Sequence, residues 1–123
     1  MKQILLTMFV GLALIACNKS EQQQADEMTA SLAQVDIKVP TIQCNSCVAN
    51  VEAALKEVEG VNSSKTNLQA KITQVSFDPA KSSLAAMEKA IAMAGYDAND
   101  TKRDSTGYAE LDACCKLPED RAK

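Results

Sequence analysis

Polar and apolar residues alternate in the stretch VDIKV, with Val35, Ile37 and Val39 on one side and Asp36 and Lys38 on the other. A period of two predicts a half-buried strand, and Pro40 stops it. From Asn45 the period changes: Val48, Val51, Leu55 and Val58 recur at i, i+3, i+7 and i+10, one face of a helix. Gly60 follows and suits a helix stop. The stretch VNSSKTNL is mostly polar and predicts only a weak strand. In KITQVSF, Thr73, Val75 and Phe77 are in phase and Ile72 is out of phase, which predicts a strand ending at Asp78-Pro79. Asp78 is suited to cap the next helix and Pro79 to open it. Leu84, Met87, Ile91 and Ala94 repeat the helical spacing, Gly95 ends it, and YDANDTK predicts a last short edge strand.

The predicted order is β-α-β-β-α-β, two βαβ halves over roughly Val35–Lys102. That order is the α+β, ferredoxin-like arrangement, an antiparallel four-stranded sheet with two helices on one face. The apolar helix stripes are core by this reading, and Met87 and Met93 are packing residues rather than metal ligands.

The ends have a different character. The segment MKQILLTMFVGLALIACNKS carries a charge at Lys2 and then an apolar run from Ile4 to Ala16. The run is short for a bilayer span, which takes about 20 residues. Charged start, apolar middle and small-residue end have the shape of a secretory signal. Its last residues, LIAC, resemble a bacterial lipobox, which implies cleavage before Cys17 and attachment of diacylglycerol to its sulfur. The alternative is a plain signal peptide with an incidental cysteine. The polar, Gln-rich stretch that follows suits a flexible tether. The expected division is residues 1–16 signal peptide, 17–33 tether, 34–102 folded domain and 103–123 tail.

Composition removes several function classes. The chain has 123 residues with 13 basic and 16 acidic side chains, a mildly acidic balance unsuited to a nucleic-acid partner. There is no His, so the commonest catalytic base and metal ligand are missing. Phe9, Phe77, Tyr96 and Tyr108 are the whole aromatic set, too few for base-stacking platforms.

The remaining chemistry is sulfur. Cys44 and Cys47 flank the predicted strand-to-helix junction as a CxxC. Unpaired N–H groups and the partial positive charge at a helix start favour thiolates there. Two thiolates on a loop suit an ion content with two soft ligands, such as Cu(I) or Hg(II). A structural Zn²⁺ wants four ligands, and no His completes the set. Three uses stay open: a soft-metal carrier, a thiol–disulfide exchange centre outside the cytoplasm, and a stapling disulfide.

The segments TIQCNSC, VEAALKEVEGV, VSFDP and AIAMAGYDA resemble, in order and spacing, the heavy-metal-associated domain family of copper chaperones, copper-pumping ATPase modules and periplasmic mercury-binding proteins. The resemblance implies metal ligation by Cys44 and Cys47, with Ile42 filling an apolar slot under the loop and Gln43 and Tyr96 as metal-loop neighbours. It implies transfer of Cu(I) first, or Hg(II), to or from a donor or acceptor protein such as a membrane transporter, and no enzyme. Where the family carries Gly-Met-Thr before the first cysteine, this chain has Thr41, Ile42 and Gln43. With the lipobox, the expected location is the cell membrane or outer membrane, facing the periplasm or exterior.

The tail RDSTGYAELDACCKLPEDRAK holds Tyr108, Leu111 and Leu117 as anchoring side chains. It also holds the adjacent Cys114 and Cys115, whose spacing strains a mutual disulfide. They are further candidate ligands, disulfide partners of Cys44 and Cys47, or exchange thiols on a mobile end.

Overall fold

The computed structural model describes residues 31–121, so the expected signal segment, Cys17 and most of the tether lie outside the described residues. The elements run β1 (Ala33–Lys38), α1 (Asn45–Lys56), β2 (Val61–Asn67), β3 (Ile72–Phe77), α2 (Leu84–Met93) and α3 (Ser105–Ala109). Two 3₁₀ turns follow, Ala113–Cys115 and Pro118–Asp120.

β3 is the central strand, antiparallel to β1 on one side and to β2 on the other. Val35 stands opposite Val75, and Ile37 opposite Thr73. These odd-numbered positions face the helices, while Gln34, Asp36 and Gln74 face solvent. β2 reaches the same core by a different phase. Val61 pairs with Phe77 but Ser63 pairs with Ser76, so Asn62 is an extra residue that bulges. Beyond it the even-numbered Ser64 and Thr66 take the inward positions. Thr66 then donates its hydroxyl to buried Thr73 at 2.9 Å. Its backbone N–H goes to Glu52 of α1 at 2.7 Å, which blunts that sheet edge.

Both helices contribute to a single aliphatic core. Val51 and Leu55 from α1 and Met87 and Ile91 from α2 are fully buried with Ile37, Val39, Ile42 and Val75. Burial of a Leu or Ile side chain of this kind stabilises by about 1.5–3 kcal/mol. Met93 departs from the expected packing role: it stands 59% exposed at the end of α2. α2 also begins later than Asp78-Pro79 suggests. Asp78 closes a turn on itself, accepting the Ala80 N–H at 2.9 Å, and the helix starts only after Ser83, whose hydroxyl accepts from Ala86.

The described residues carry three strands, not the expected four. The YDANDTK segment folds into a tight turn in which Ala98 and Thr101 bond to each other. Asn99 sits at the turn's tip with φ of 51° and docks alone on the edge of β1. Its backbone N–H donates to the Lys38 carbonyl at 2.8 Å, and its side-chain oxygen accepts the Lys38 N–H at 2.9 Å. Glu88 holds the turn from α2, accepting from Asn99 at 2.7 Å and from Thr101 at 3.1 Å. A side-chain amide thus caps β1 where a ladder was expected.

The tail takes a defined course rather than hanging free. Asp104 donates its N–H to the Ala92 carbonyl and caps α3 by accepting from Gly107. Arg103 reaches back to buried Asp97 at 3.3 Å and stacks over the Tyr108 ring at 4.4 Å. The Tyr108 hydroxyl donates to Asp120 at 2.7 Å and accepts from the Leu117 N–H at 2.8 Å. This chain of contacts brings the second 3₁₀ turn back onto α3 and holds the first between them.

Candidate metal centre

Cys44 is the residue before α1, with extended backbone (φ −151°, ψ 174°), and its carbonyl accepts the N–H groups of Cys47 and Val48. Cys47 lies in the first helical turn and is fully buried. The loop before them is pinned from several sides. Ile42 is buried in the core beneath it. The Gln43 N–H donates to Cys47 Sγ at 3.3 Å, and the Gln43 amide donates to the Thr41 carbonyl at 3.2 Å. The Thr41 hydroxyl accepts the Asp97 N–H at 3.0 Å, tying the thiol loop to the segment that carries Tyr96.

The tail delivers two more sulfurs to the same place. Cys44 Sγ lies 3.1 Å from Cys114 Sγ, 3.5 Å from Cys47 Sγ and 3.6 Å from Cys115 Sγ. The sulfurs of Cys44, Cys47 and Cys115 all lie within 4.8 Å of one another. All four described cysteines are free thiols. Cys47 and Cys115 are buried, Cys44 is half-buried and Cys114 is exposed, so the cluster opens to solvent on one side. The turn that holds the tail pair is clamped by Arg121, which donates to the carbonyls of Cys114 at 3.1 Å and Lys116 at 3.0 Å.

The electrostatics favour one shared negative charge. Burial pushes the Cys44 thiol up, but hydrogen bonds with Cys114, the Cys47 backbone N–H, the Cys47 thiol and the Cys115 thiol outweigh it and bring it down to about 6. Cys115 moves the other way, pushed up first by burial and then by its hydrogen bond with Cys47. Cys114 is also raised, chiefly by its hydrogen bond with Cys44. At neutral pH the cluster therefore holds a thiolate at Cys44 supported by neighbouring thiols.

Tyr96 is fully buried beside this cluster, and its hydroxyl accepts from the Asn50 side chain at 2.9 Å. Burial above all pushes its phenol up, so it stays protonated and able to donate toward Cys115. The Asn50 amide lies 4.0 Å from Cys115 Sγ. Asn50 escapes a reading based on cysteine spacing alone. Its signal is its place three residues after Cys47, one helical turn along the same face.

Sulfur ligands without imidazole are the donor set for soft, thiophilic ions, and the residues present fit such an ion. Comparison with known proteins points the same way. Residues 36–97 match the sequence profile of the family described as "Heavy-metal-associated domain". A mercuric transport protein periplasmic component from Shewanella putrefaciens is 39% identical over 62 residues, covering 50% of this chain and 68% of that protein. The copper chaperone CopZ of Staphylococcus aureus (strain bovine RF122 / ET3-1) is 33% identical over 66 residues, covering 54% of this chain and 97% of that protein. Among solved structures, oxidized MerP from Ralstonia metallidurans CH34 superposes with a TM-score of 0.54 at 33% identity, over 56% of this chain and 96% of that one. The family match ends at Asp97, so Cys114 and Cys115 lie beyond it.

Proposed function

The chain belongs to the heavy-metal-associated domain family, and on that premise we propose that it binds one soft metal ion through Cys44 and Cys47 and passes it to another protein. The observation that carries this reading is the pair of free thiols at the mouth of α1, 3.5 Å apart, one already disposed to ionise. Cu(I) is the first cargo by this reading and Hg(II) the second. The mercuric and copper proteins among its relatives support both.

Loading and release are ligand exchange, with no bond-making catalysis. The half-exposed Cys44 thiolate takes the ion first, and Cys47 follows. Each metal–sulfur bond formed on a protonated thiol releases its proton to solvent, so uptake strengthens as pH rises. In transfer an incoming thiolate of the partner adds before an outgoing one leaves. The partner is a metal donor or acceptor such as a membrane transporter, and no nucleic acid is involved. The LIAC ending at Cys17 supports lipid attachment there and, with it, a location on the cell membrane or outer membrane, facing the periplasm or exterior.

Competition titration of the reduced chain tests the reading. One Cu(I) or Hg(II) per chain is expected, with weaker binding in Cys44→Ser and in Cys47→Ser. Equal affinity in all three proteins overturns it, as does disulfide exchange on insulin by a chain that takes up no metal.

A further inference from the structure

The residues past the family match bring a buried cysteine to the thiol loop. A buried free cysteine usually serves as a small hydrophobe among apolar neighbours. Cys115 packs into the core in that way, and it also has the sulfurs of Cys44 and Cys47, the Asn50 amide and the Tyr96 hydroxyl around its own sulfur. We propose that the tail completes the metal centre: Cys44, Cys47 and Cys115 hold one soft ion in a three-sulfur site, and Cys114 stays outside it as the solvent-facing exchange thiol. The proposal rests on the carrier reading and adds to it a ligand set and a consequence.

Geometry supports a triangle. Three sulfurs each about 2.3 Å from a common centre stand about 4.0 Å apart. The three sulfurs here lie within 4.8 Å of one another, with Cys44 at 3.5 Å from Cys47 and 3.6 Å from Cys115. Side-chain adjustments of a few tenths of an ångström admit the ion. Polar groups also stand around the ligand sulfurs. The Gln43 N–H donates to Cys47, Cys114 Sγ lies 3.1 Å from Cys44 Sγ, and the Asn50 and Tyr96 groups face Cys115. Three thiolates around Cu(I) carry a net charge of about −2, and such groups spread that charge. Cys114 is the exposed sulfur, in contact with Cys44, where an incoming partner thiolate arrives first.

The consequence is retention. A two-sulfur carrier releases its ion once a rival thiolate displaces one ligand. A third, buried sulfur on the tail must also leave, so release waits on movement of residues 113–115. Three bonds form as three thiols or thiolates bind one Cu(I), with protons lost to solvent and no change of oxidation state.

The test counts sulfurs. The full chain carrying Cys17→Ser is reduced, freed of reductant, and loaded anaerobically with one equivalent of Cu(I) in mild detergent. X-ray absorption at the copper edge is expected to show three sulfurs in this protein and in its Cys114→Ser variant. Two are expected when Cys114→Ser and Cys115→Ser are combined. Loss of Cu(I) to bathocuproine disulfonate is expected to be at least about tenfold faster in the combined variant, since loss of an outer-shell partner alone costs 10–100-fold in affinity. Two sulfurs in the reference protein, a drop to two on Cys114→Ser alone, or three persisting in the combined variant each overturn the proposal. The reference count decides without any variant that must fold. Failure to take up Cu(I) at all overturns the carrier reading and this proposal together, whereas uptake on two sulfurs overturns only this proposal.

Discussion

The carbonyl oxygen of Met93 occupies the place that a side chain on Gly107 would need. A Cβ on Gly95 would in turn meet the Gly107 carbonyl oxygen at 2.8 Å, and Gly95 has a φ of 101° that suits glycine alone. The end of α2 and the body of α3 therefore touch backbone to backbone. This contact fixes where the tail starts, and so where Cys114 and Cys115 arrive.

Gly107→Ala is expected to push α3 away from α2. The clash is with backbone, which has little room to yield, so the expected destabilisation is about 1–3 kcal/mol. A second readout separates displacement of the tail from general loss of stability. Cys115 is buried, and under native conditions it should become alkylated by iodoacetamide much faster in the variant while Leu55 and its neighbours keep slow hydrogen exchange. Unchanged protection of Cys115 would show that the backbone contact does not position the tail.

Asp97 joins the same device from the other side. Its carboxylate accepts from the Arg103 N–H at 3.0 Å and from the Arg103 guanidinium at 3.3 Å, while Lys102 pairs with it from solvent. The Lys102 pair is exposed and contributes little. Asp97→Asn keeps an acceptor for the backbone N–H and removes the charge that orients Arg103 over Tyr108. A loss of about 1 kcal/mol in urea denaturation is expected, and because the pair is largely buried, high salt should change the gap little. No loss on Asp97→Asn would mean the guanidinium pairing adds nothing.

The titration of Cys44 gives a pH-dependent reactivity. Burial raises this thiol, but its hydrogen bonds, led by that with Cys114, bring it down to about 6. A lowered value means that the reactive thiolate is present above that pH and lost below it. The alkylation rate at Cys44, followed by peptide mass spectrometry in metal-free buffer, is expected to reach half its plateau at about pH 6. An unperturbed cysteine would do so at about 8.5. Cys114→Ala removes the leading stabilising bond and should move the midpoint upward. A midpoint near that of a free thiol, or one indifferent to Cys114→Ala, would contradict the shared-charge description of the cluster.

What the sequence discloses divides along the range of the interactions. β1, α1 and β3 follow from local periodicity because their inward residues, such as Ile37, Val51 and Val75, keep an unbroken phase. β2 reads as weak because Asn62 bulges and moves the inward phase from odd to even positions. The expected fourth strand is replaced because Asn99 uses its side chain, which no alternation reports, to serve Lys38. The CxxC pair is legible for the same local reason as the helices, since a spacing of three residues brings Cys44 and Cys47 together at a helix start. The meeting of Cys44 with Cys115 spans 71 residues. It depends on the Gly107–Met93 contact and on Tyr108 as a hub, neither of which leaves a periodic trace.

Tyr96→Phe probes the support of the metal loop most directly. The substitution keeps the ring that fills the core and deletes only the hydroxyl. Asn50 then loses its 2.9 Å partner, and Cys115 loses a donor. Asn50 is exposed and can turn to water, so losing this one hydrogen bond is expected to cost about 0.5–1.5 kcal/mol, which urea denaturation of the metal-free protein measures. Stability alone does not identify a role toward metal, because any core tyrosine could show that loss. The discriminating readout is Cu(I) affinity of the folded variant by chelator competition, expected to fall about tenfold. In a background where Cys115 is already Ser, the same substitution should change affinity little, because the sulfur that Tyr96 supports is gone. A tenfold loss that persists there would place the effect of Tyr96 on the Cys44–Cys47 loop itself. Loss of stability with no change in Cu(I) affinity in either background would reduce Tyr96 to a packing residue.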